Sequence, residues 1–434
     1  MKESFLTEEC KEEIKRIGKT EILVGIPSYN NERTISHVVR AAQYGLAKYF
    51  PKFKAVIMNS DGGSTDRTRE IVKKTSVYTD LDTILIEHAV HPAASFSAAY
   101  RGGIPGKGSA YKAIFETACK LKARVCVLID SDLRSITPEW VELLAGPILL
   151  KGYDYVSPLY SRHKYDGTIT NSIVYPLTRA LYGRRIRQPI GGDFGVSKKM
   201  VKSYLAKDVW GTDVARYGID IWMTTVAINE GAKICQSFLG AKIHDVKEPG
   251  QVLGPMFKQV VNTLFYLMCD YEEHWKKVSR AKPTAIYGFR SDNPPEPVSV
   301  NLNSIVEKFK RGVEDNKEYW STFLPSQRVK ELEEISSVSL DKFNFSPELW
   351  VKIIYDFAVT YSQMSSSEKE LDKLVNSLIP IYFGRTASFV IETDNIPTYE
   401  AEDKIEHLCD KFEELKPYLI KRWDSAKKDD SYPL

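Results

Sequence analysis

The run Ile22-Leu23-Val24-Gly25-Ile26-Pro27 is apolar throughout and breaks into Ser28-Tyr29-Asn30-Asn31. A strand buried on both faces has this texture, without polar alternation, and the polar break marks the loop at its exit. The figure recurs along the first half of the chain. Helical periodicity follows over 33–49, through Ile35, Val38, Val39, Ala42 and Leu46. Ala55-Val56-Ile57-Met58 is a second strand, and Ser60-Asp61-Gly62-Gly63-Ser64-Thr65-Asp66 a turn and helix cap before a helix over 66–75. Thr83-Ile84-Leu85-Ile86 is a third strand. After a long loop, a helix over 107–122 leads into a strand over 124–129. Strands alternating with helices predict an α/β fold, a mostly parallel sheet flanked by helices. Ligands of such sheets sit beyond the carboxyl ends of the strands, where these polar loops fall.

Further along, helices are expected over 138–150, 170–183 and 218–231, with strands near Tyr155 and over 233–238. From about residue 252 helical periodicity dominates: 252–276, 303–322, 347–365, 366–378 and 400–425. The Pro-rich stretch 281–300 reads as a connector. The expected organisation is an α/β domain over 1–251 and a mainly helical domain over 252–434.

Sixty Lys and Arg against fifty-seven Asp and Glu leave a net charge of +3. That field is too weak to argue for nucleic acid or a membrane surface, so an anionic partner has to be captured locally. No run of about 18 apolar residues predicts a membrane helix. The charged first 20 residues, which read as a short amphipathic helix, lack the apolar stretch of a signal peptide. The six cysteines show no metal-type spacing and are expected to be free thiols of a cytoplasmic protein.

The sharpest local feature is Val127-Leu128-Ile129-Asp130-Ser131-Asp132, a buried strand delivering two carboxylates at its exit. Two acids this close repel unless a cation neutralises them, and oxygen ligands suit Mg²⁺ or Mn²⁺. An Asp pair capping the next turn is the plainer reading. The loops Pro27-Ser28-Tyr29-Asn30-Asn31-Glu32 and Asp61-Gly62-Gly63-Ser64-Thr65-Asp66 should share the same rim of the sheet, although Ser64, Thr65 or Asp66 also suits a helix cap.

This set resembles the GT-A nucleotide-sugar glycosyltransferases over most of 22–250. In that family the first two loops hold the nucleoside and the Asp-x-Asp holds the cation bridging the donor diphosphate. Further motifs narrow the resemblance. Pro105-Gly106-Lys107-Gly108 precedes a helix, where glycines free N–H groups for an anion; a flexible turn is the alternative. Gln188-Pro189-Ile190-Gly191-Gly192-Asp193 is a Gly-rich loop suited to close approach of a small ligand. Tyr217-Gly218-Ile219-Asp220 opens a helix with an acid, which a helix dipole alone would also favour. His244 follows a predicted strand.

In this order the motifs look like the retaining synthases that make glycosylglycerates as compatible solutes, a branch that includes mannosylglycerate, glucosylglycerate and glucosyl-3-phosphoglycerate synthases. The resemblance implies that Pro27, Ser28, Tyr29, Asn30, Asp61 and Gly62 line the nucleoside pocket and that Lys107 and Ser131 sit near the donor. It implies that Asp132 and His244 ligate the cation, Asp130 faces the sugar or the metal shell, and Asp220 lies by the reacting centre. Gly191 and Gly192 would belong to the acceptor loop. Arg162 and Thr170 occupy positions that hold the glycerate carboxylate and hydroxyls in mannosylglycerate synthase; an Arg fork suits a carboxylate.

The phosphoglycerate enzymes place an Arg directly after the position of Gly167, where this chain has Thr168. A phosphate there would lose a contact worth about 1.5–3 kcal/mol, which favours free D-glycerate over 3-phosphoglycerate unless Arg187, Lys164 or Lys247 compensates. The donor is expected to be GDP- or UDP-glucose, with GDP-mannose open.

The relatives retain anomeric configuration. Double displacement needs a carboxylate nucleophile, for which Asp220 is the candidate. Same-face attack, with the departing phosphate taking the acceptor proton and Asp220 orienting groups, is the favoured reading. In the helical region, Phe343-Asn344-Phe345, Trp350 and the segment 382–386 also resemble mannosylglycerate synthase. They fit a lid, a homodimer surface or plain packing, the aromatic stripes favouring packing. The competing readings are an inverting transferase acting on a polysaccharide or lipid carrier, a nucleotidyltransferase, and an inactive nucleotide-sugar-binding regulatory protein.

Overall fold

In a computed structural model of the chain, residues 4–76, 82–87, 106–244, 249–290, 295–364 and 367–429 are described. Pro105 and Lys247 lie outside them. The chain divides into two compact units that interleave in sequence. One takes Met1–Arg162, Ile186–Lys247 and Thr284–Glu296; the other takes His163–Arg185, Glu248–Pro283 and Pro297–Leu434. The cut expected at 251/252 therefore falls inside the helix Pro249–Asp270, and the second unit also draws a segment from the middle of the α/β region.

The first unit is an α/β fold on an eight-stranded sheet. Its strands are β1 (Ile22–Ser28), β2 (Ala55–Asp61), β3 (Asp82–Glu87), β4 (Val125–Leu128), β5 (Tyr155–Ser161), β6 (Phe194–Ser197), β7 (Ile234–Ala241) and β8 (Ala285–Tyr287). They lie in the order β8-β7-β5-β6-β4-β1-β2-β3. Seven are parallel and only β6 opposes its neighbours. Both faces are covered, so β1, β2 and β4 are buried at every position, as continuous apolar runs require. The core joins strand residues such as Val24, Ile57 and Val127 to Val39, Leu46 and Val141 on the flanking helices.

Two features position the site. In register, Ser28 lies opposite Asp61 and Gly25 opposite Leu128, so β1, β2 and β4 end along one edge. Because β6 runs the other way, its beginning lies at that edge. The loop containing Gly191, Gly192 and Asp193 thus arrives where β5 and β7 leave the sheet. Strand β6 escaped the sequence pattern, being four residues long with Gly195 inside it. A Cβ on Gly195 would stand 2.2 Å from the Leu144 carbonyl oxygen, so glycine there lets the helix Glu139–Lys151 pack close.

The second unit is mainly helical. It contains Pro249–Asp270, Leu302–Trp320, Ser326–Ser337, Pro347–Gln363, Glu368–Thr393, Thr398–Glu414 and Lys416–Asp429, together with the π-helical turn Thr170–Val174 and the helix Tyr175–Tyr182. Trp275, Trp320, Trp350 and Trp423 are fully buried, and Phe343 and Phe345 pack on Phe309. The aromatic residues are core, as their periodicity favoured. The helix expected over 366–378 runs on to Thr393 through Pro380. By length and composition Glu368–Thr393 is apolar enough to cross a membrane, but 67% of its most apolar stretch is buried within the protein. All six cysteines are free thiols, and Cys126 and Cys235 are buried in the first unit.

Candidate active site at the sheet edge

The three polar loops are tied into one framework. The β2 carboxylate of Asp61 is fully buried. It accepts from the Gly63 and Ser64 amides at 3.0 and 2.8 Å and from the Ser28 and Ser64 hydroxyls at 2.9 and 2.7 Å. It thereby folds the second loop and joins it to the end of β1, and the Gly62 amide reaches the Ser28 carbonyl at 2.8 Å. Asn30 holds φ +52°, a left-handed conformation that Asn tolerates better than most residues. Its amide donates to Ser64 Oγ and its side-chain oxygen accepts from the Thr65 amide, both at 2.9 Å. Asn31 Oδ1 accepts from Ser131 Oγ at 2.8 Å, and Thr34 Oγ1 donates to the Ser131 carbonyl at 2.8 Å. Tyr29 projects from this framework with 38% of its surface exposed, next to Pro27 and Ser28 on the same edge. Asp66 acts as a cap: its carboxylate accepts from the Thr68 amide at 2.9 Å. Burial opposes its ionisation, but the Thr68 hydroxyl and amide outweigh burial and lower its pKa.

Beside this framework lies a buried knot of two ammonium groups and three carboxylates. Lys107 Nζ sits 2.9 Å from Asp130 Oδ1 and 3.2 Å from Asp220 Oδ2. Lys242 Nζ sits 3.0 Å from both Asp130 Oδ2 and Asp193 Oδ2 and donates to the Gly191 carbonyl at 2.8 Å. Burial alone would raise the Asp130 pKa, but the two lysines hold it far below the usual carboxylate range. Asp193 and Asp220 are raised, chiefly by burial. Two cations cannot match three acids in a dry site, and the shortfall falls on Asp220. Its Oδ1 is buried with no hydrogen-bond partner among the described residues.

The Gly-rich loop is shaped by the same knot. Gly192 has φ +85°, and a Cβ there would stand 1.9 Å from Asp130 Oδ2. Tyr111 donates to the Gly192 carbonyl at 2.9 Å and Tyr160 to the Gly191 carbonyl at 3.2 Å. Tyr160 also donates to Asp193, and the Asp130 amide donates to Asp193 Oδ1 at 2.8 Å. Close backbone approach was expected towards a small ligand; in this structure the group that Gly192 approaches is the Asp130 carboxylate. The glycines on either side of Lys107 differ from expectation. Gly106 and Gly108 press on the carbonyls of Ala215 and Val214, where a Cβ would stand 2.1 and 1.9 Å away. The Gly108 amide already donates to the Arg216 carbonyl at 3.2 Å. Both glycines serve packing against 214–216.

Past β7 the chain crosses to the chain leaving β4. Leu133 and His244 form an isolated antiparallel bridge. The Arg134 amide donates to the Ile243 carbonyl at 2.8 Å, and the Ile243 amide to Ser135 Oγ at 2.9 Å. Asp132 is one residue from the bridge, and its charge is felt at Lys242. Among the described residues no cluster of three or more His, Cys, Asp or Glu side chains is set to hold a metal. A carboxylate and an imidazole from adjoining segments are a donor set that would suit a divalent cation such as Mn²⁺ or Mg²⁺.

Of the residues expected to hold the acceptor, Arg162, Gly191 and Gly192 belong to the first unit; Thr170 belongs to the second, where it is buried at the start of the π-helical turn. Thr168, also in the second, shares a short hydrogen bond with the Tyr382 hydroxyl. Lys164 is committed elsewhere: its ammonium donates to the carbonyls of Asp394 at 3.2 Å and Ile396 at 2.8 Å, capping the end of the helix Glu368–Thr393. It is therefore unsuited to replace the missing Arg. Lys242, Asp193, Tyr111 and Tyr160 were given no role in the sequence reading. A lysine two residues before a histidine carries no pattern that separates it from a solvated one.

No family model matches the chain. A curated glucosyl-3-phosphoglycerate synthase from Petrotoga mobilis is 25% identical over 255 residues, covering 55% of this chain and 71% of that protein. An uncharacterised protein of Methanocaldococcus jannaschii is 30% identical over 142 residues, covering 33% and 47%. Among solved structures, glucosyl-3-phosphoglycerate synthase from Mycobacterium tuberculosis with Mn²⁺, UDP and glucosyl-3-phosphoglycerate is 23% identical, covering 59% of this chain and 83% of that one at a TM-score of 0.43. The same enzyme with Mg²⁺ and UDP gives 23%, 59%, 83% and 0.42. The chain is thus similar in sequence to glucosyl-3-phosphoglycerate synthase.

Proposed function

We propose that this chain is a retaining hexosyltransferase that moves glucose from a nucleoside diphosphate sugar, UDP-glucose in the first instance, to D-glycerate. The observation that carries the reading is the Leu133–His244 bridge. It brings the backbone of the segments that carry Asp132 and His244 together at the exits of two strands, at the edge where the loops joined by Ser28, Asn31, Asp61 and Ser131 lie. The likeness to the Petrotoga enzyme, 25% identical over 255 residues, supports the same activity class.

In this reading the framework around Asp61 forms the nucleoside pocket, with Tyr29 as its exposed aromatic face and Pro27, Asn30 and Gly62 lining it. Asp132 and His244 would hold the divalent cation. When bound, that cation supplies Lewis-acid stabilisation of the charge developing on the departing β-phosphate. Lys107 adds a fixed positive charge near the donor. Asp130, kept ionised between two lysines, accepts hydrogen bonds from sugar hydroxyls. Asp220 offers Oδ1, buried and without a hydrogen-bond partner among the described residues, to a hydroxyl at the reacting centre. Lys107 holds the other oxygen, which favours an orienting role for Asp220 over a free nucleophile. The acceptor hydroxyl attacks from the leaving-group face, and the departing phosphate takes its proton. Arg162 and the Gly191-Gly192 backbone position the acceptor.

Free D-glycerate is the proposed acceptor because Thr168 stands where the phosphoglycerate enzymes carry Arg, and its hydroxyl is engaged by Tyr382. The test is an array of UDP-, GDP- and ADP-glucose and GDP-mannose against D-glycerate and 3-phosphoglycerate, with and without Mn²⁺ or Mg²⁺. Cation-dependent glucosylation of D-glycerate is expected. Preference for 3-phosphoglycerate would overturn the acceptor assignment. Binding of every donor without turnover would make the chain a nucleotide-sugar sensor.

A further inference from the structure

We infer that Lys242 is a positioning residue that couples the donor-side carboxylate of Asp130 to the Gly191-Gly192 acceptor loop; this rests on the hexosyltransferase reading. The ordinary expectation for a lysine two residues before His244 is direct contact with a diphosphate. The geometry argues otherwise. An ammonium has three hydrogens, and Lys242 has three acceptors: Asp130 Oδ2 at 3.0 Å, Asp193 Oδ2 at 3.0 Å and the Gly191 carbonyl at 2.8 Å. Its side chain is 6% exposed, and its ammonium lies 5.0 Å from the centre of the Tyr160 ring. It has no donor left for a ligand and little room to turn. Lys107 differs, with two carboxylate partners and 16% exposure, and suits the donor-contact role.

The three acceptors of Lys242 are the parts whose spacing matters for transfer. Asp130 stands on the donor side, Gly191 begins the acceptor loop, and Asp193 ends it while accepting the Asp130 amide. Tyr160 grips the same loop from a second direction, donating to Gly191 and Asp193. Without Lys242, the loop and Asp130 lose the tether between their charged groups and keep only the Asp130 amide bond to Asp193. The site can still bind a nucleotide, but the acceptor hydroxyl is no longer held against the anomeric carbon, and water competes for the sugar.

The test compares wild type, Lys242→Met, Lys242→Arg and Tyr160→Phe. Each is assayed with UDP-glucose, Mn²⁺ and whichever of D-glycerate and 3-phosphoglycerate the wild type uses. Glucosyl transfer, UDP-glucose hydrolysis and calorimetric binding of UDP with Mn²⁺ are recorded. Lys242→Met should lower kcat for transfer about 100-fold, raise the acceptor KM and lower the ratio of transfer to hydrolysis, with UDP binding unchanged. Lys242→Arg should restore part of the ratio. Tyr160→Phe, which keeps every charge and carries the test if the Met variant does not fold, should show a milder form of the same split. UDP binding lost in step with transfer, transfer and hydrolysis falling together, or wild-type transfer in an active enzyme would each overturn the inference. A wild type inactive with every donor would overturn the functional reading, and this inference with it.

Discussion

Leu133 and His244 face each other across a two-stranded antiparallel bridge that belongs to neither flanking strand. One residue before Leu133 is Asp132, and two before His244 is Lys242, which reaches back to Asp130. The chains leaving β4 and β7 are therefore pinned twice, through backbone at the bridge and through charge at Lys242. The proposed cation site takes one residue from each of these segments.

Substituting either Asp132→Ala or His244→Ala should lower kcat by about 10²–10³-fold, the usual loss when a group stabilising developing charge is removed. The nucleoside framework around Asp61 stays intact, so UDP should still bind when Mn²⁺ is absent. Steady-state assays with and without EDTA, beside UDP titrations, separate the two effects. Full activity in either variant would contradict the proposed ligand pair.

Gly63 and Gly192 both hold φ +85°, but a Cβ on Gly63 meets nothing within 4 Å, whereas one on Gly192 stands 1.9 Å from Asp130 Oδ2. Gly63→Ala should cost only backbone strain, about 1–2 kcal/mol. Gly192→Ala adds the displacement of a carboxylate held between two lysines, so its cost in urea unfolding should be clearly larger and its transfer activity should collapse. Equal losses would mean that the close approach of Gly192 to Asp130 carries no energy.

These residues also mark how far the sequence could be read. The strands and the shared edge were legible because strands covered on both faces leave unbroken apolar runs, as at Ile22–Ser28 and Ala55–Asp61. Strand Phe194–Ser197 was not, since four residues around a glycine show neither an apolar run nor alternation. The helix through Pro380 was cut short because proline usually ends a helix. Here Gly312 leaves the space in which Pro380 packs, as a Cβ on it would stand 2.0 Å from the ring. Asp130, Lys107 and Asp220 were legible by resemblance. Their partnership with Lys242 and Asp193 joins positions far apart in sequence, and only folding reveals it.

Lys416 gives a pH-dependent stability that does not involve the site. Its ammonium is buried in the second unit against the carbonyls of Ala180 at 3.1 Å and Val278 at 2.6 Å, and burial pushes its pKa down to about 8 from 10.5. Below pH 8 both folded and unfolded chains carry the proton, and the burial penalty is fully present. Between pH 8 and 10.5 the folded chain loses the proton first, so the penalty fades as pH rises. Relative to Lys416→Met, the wild type should gain stability across that window, measured by urea unfolding of both proteins from pH 7 to 10. A difference that stays flat would contradict the buried-lysine account.

Thr168→Arg should move acceptor preference towards 3-phosphoglycerate. A new charge-assisted contact worth about 1.5–3 kcal/mol corresponds to roughly 10- to 100-fold in the ratio of kcat/KM for 3-phosphoglycerate to that for D-glycerate. Competition assays with both acceptors present read that ratio directly. An unchanged ratio would remove Thr168 from the acceptor site.

The most direct test of the central claim is NMR of the product formed from UDP-glucose and D-glycerate with Mn²⁺. The account predicts an α-linked glucosylglycerate, formed with retention, whose appearance stops when the cation is chelated and resumes when it is restored. No glycoside from any nucleotide sugar, or a β-linked product formed equally well without the cation, would contradict it.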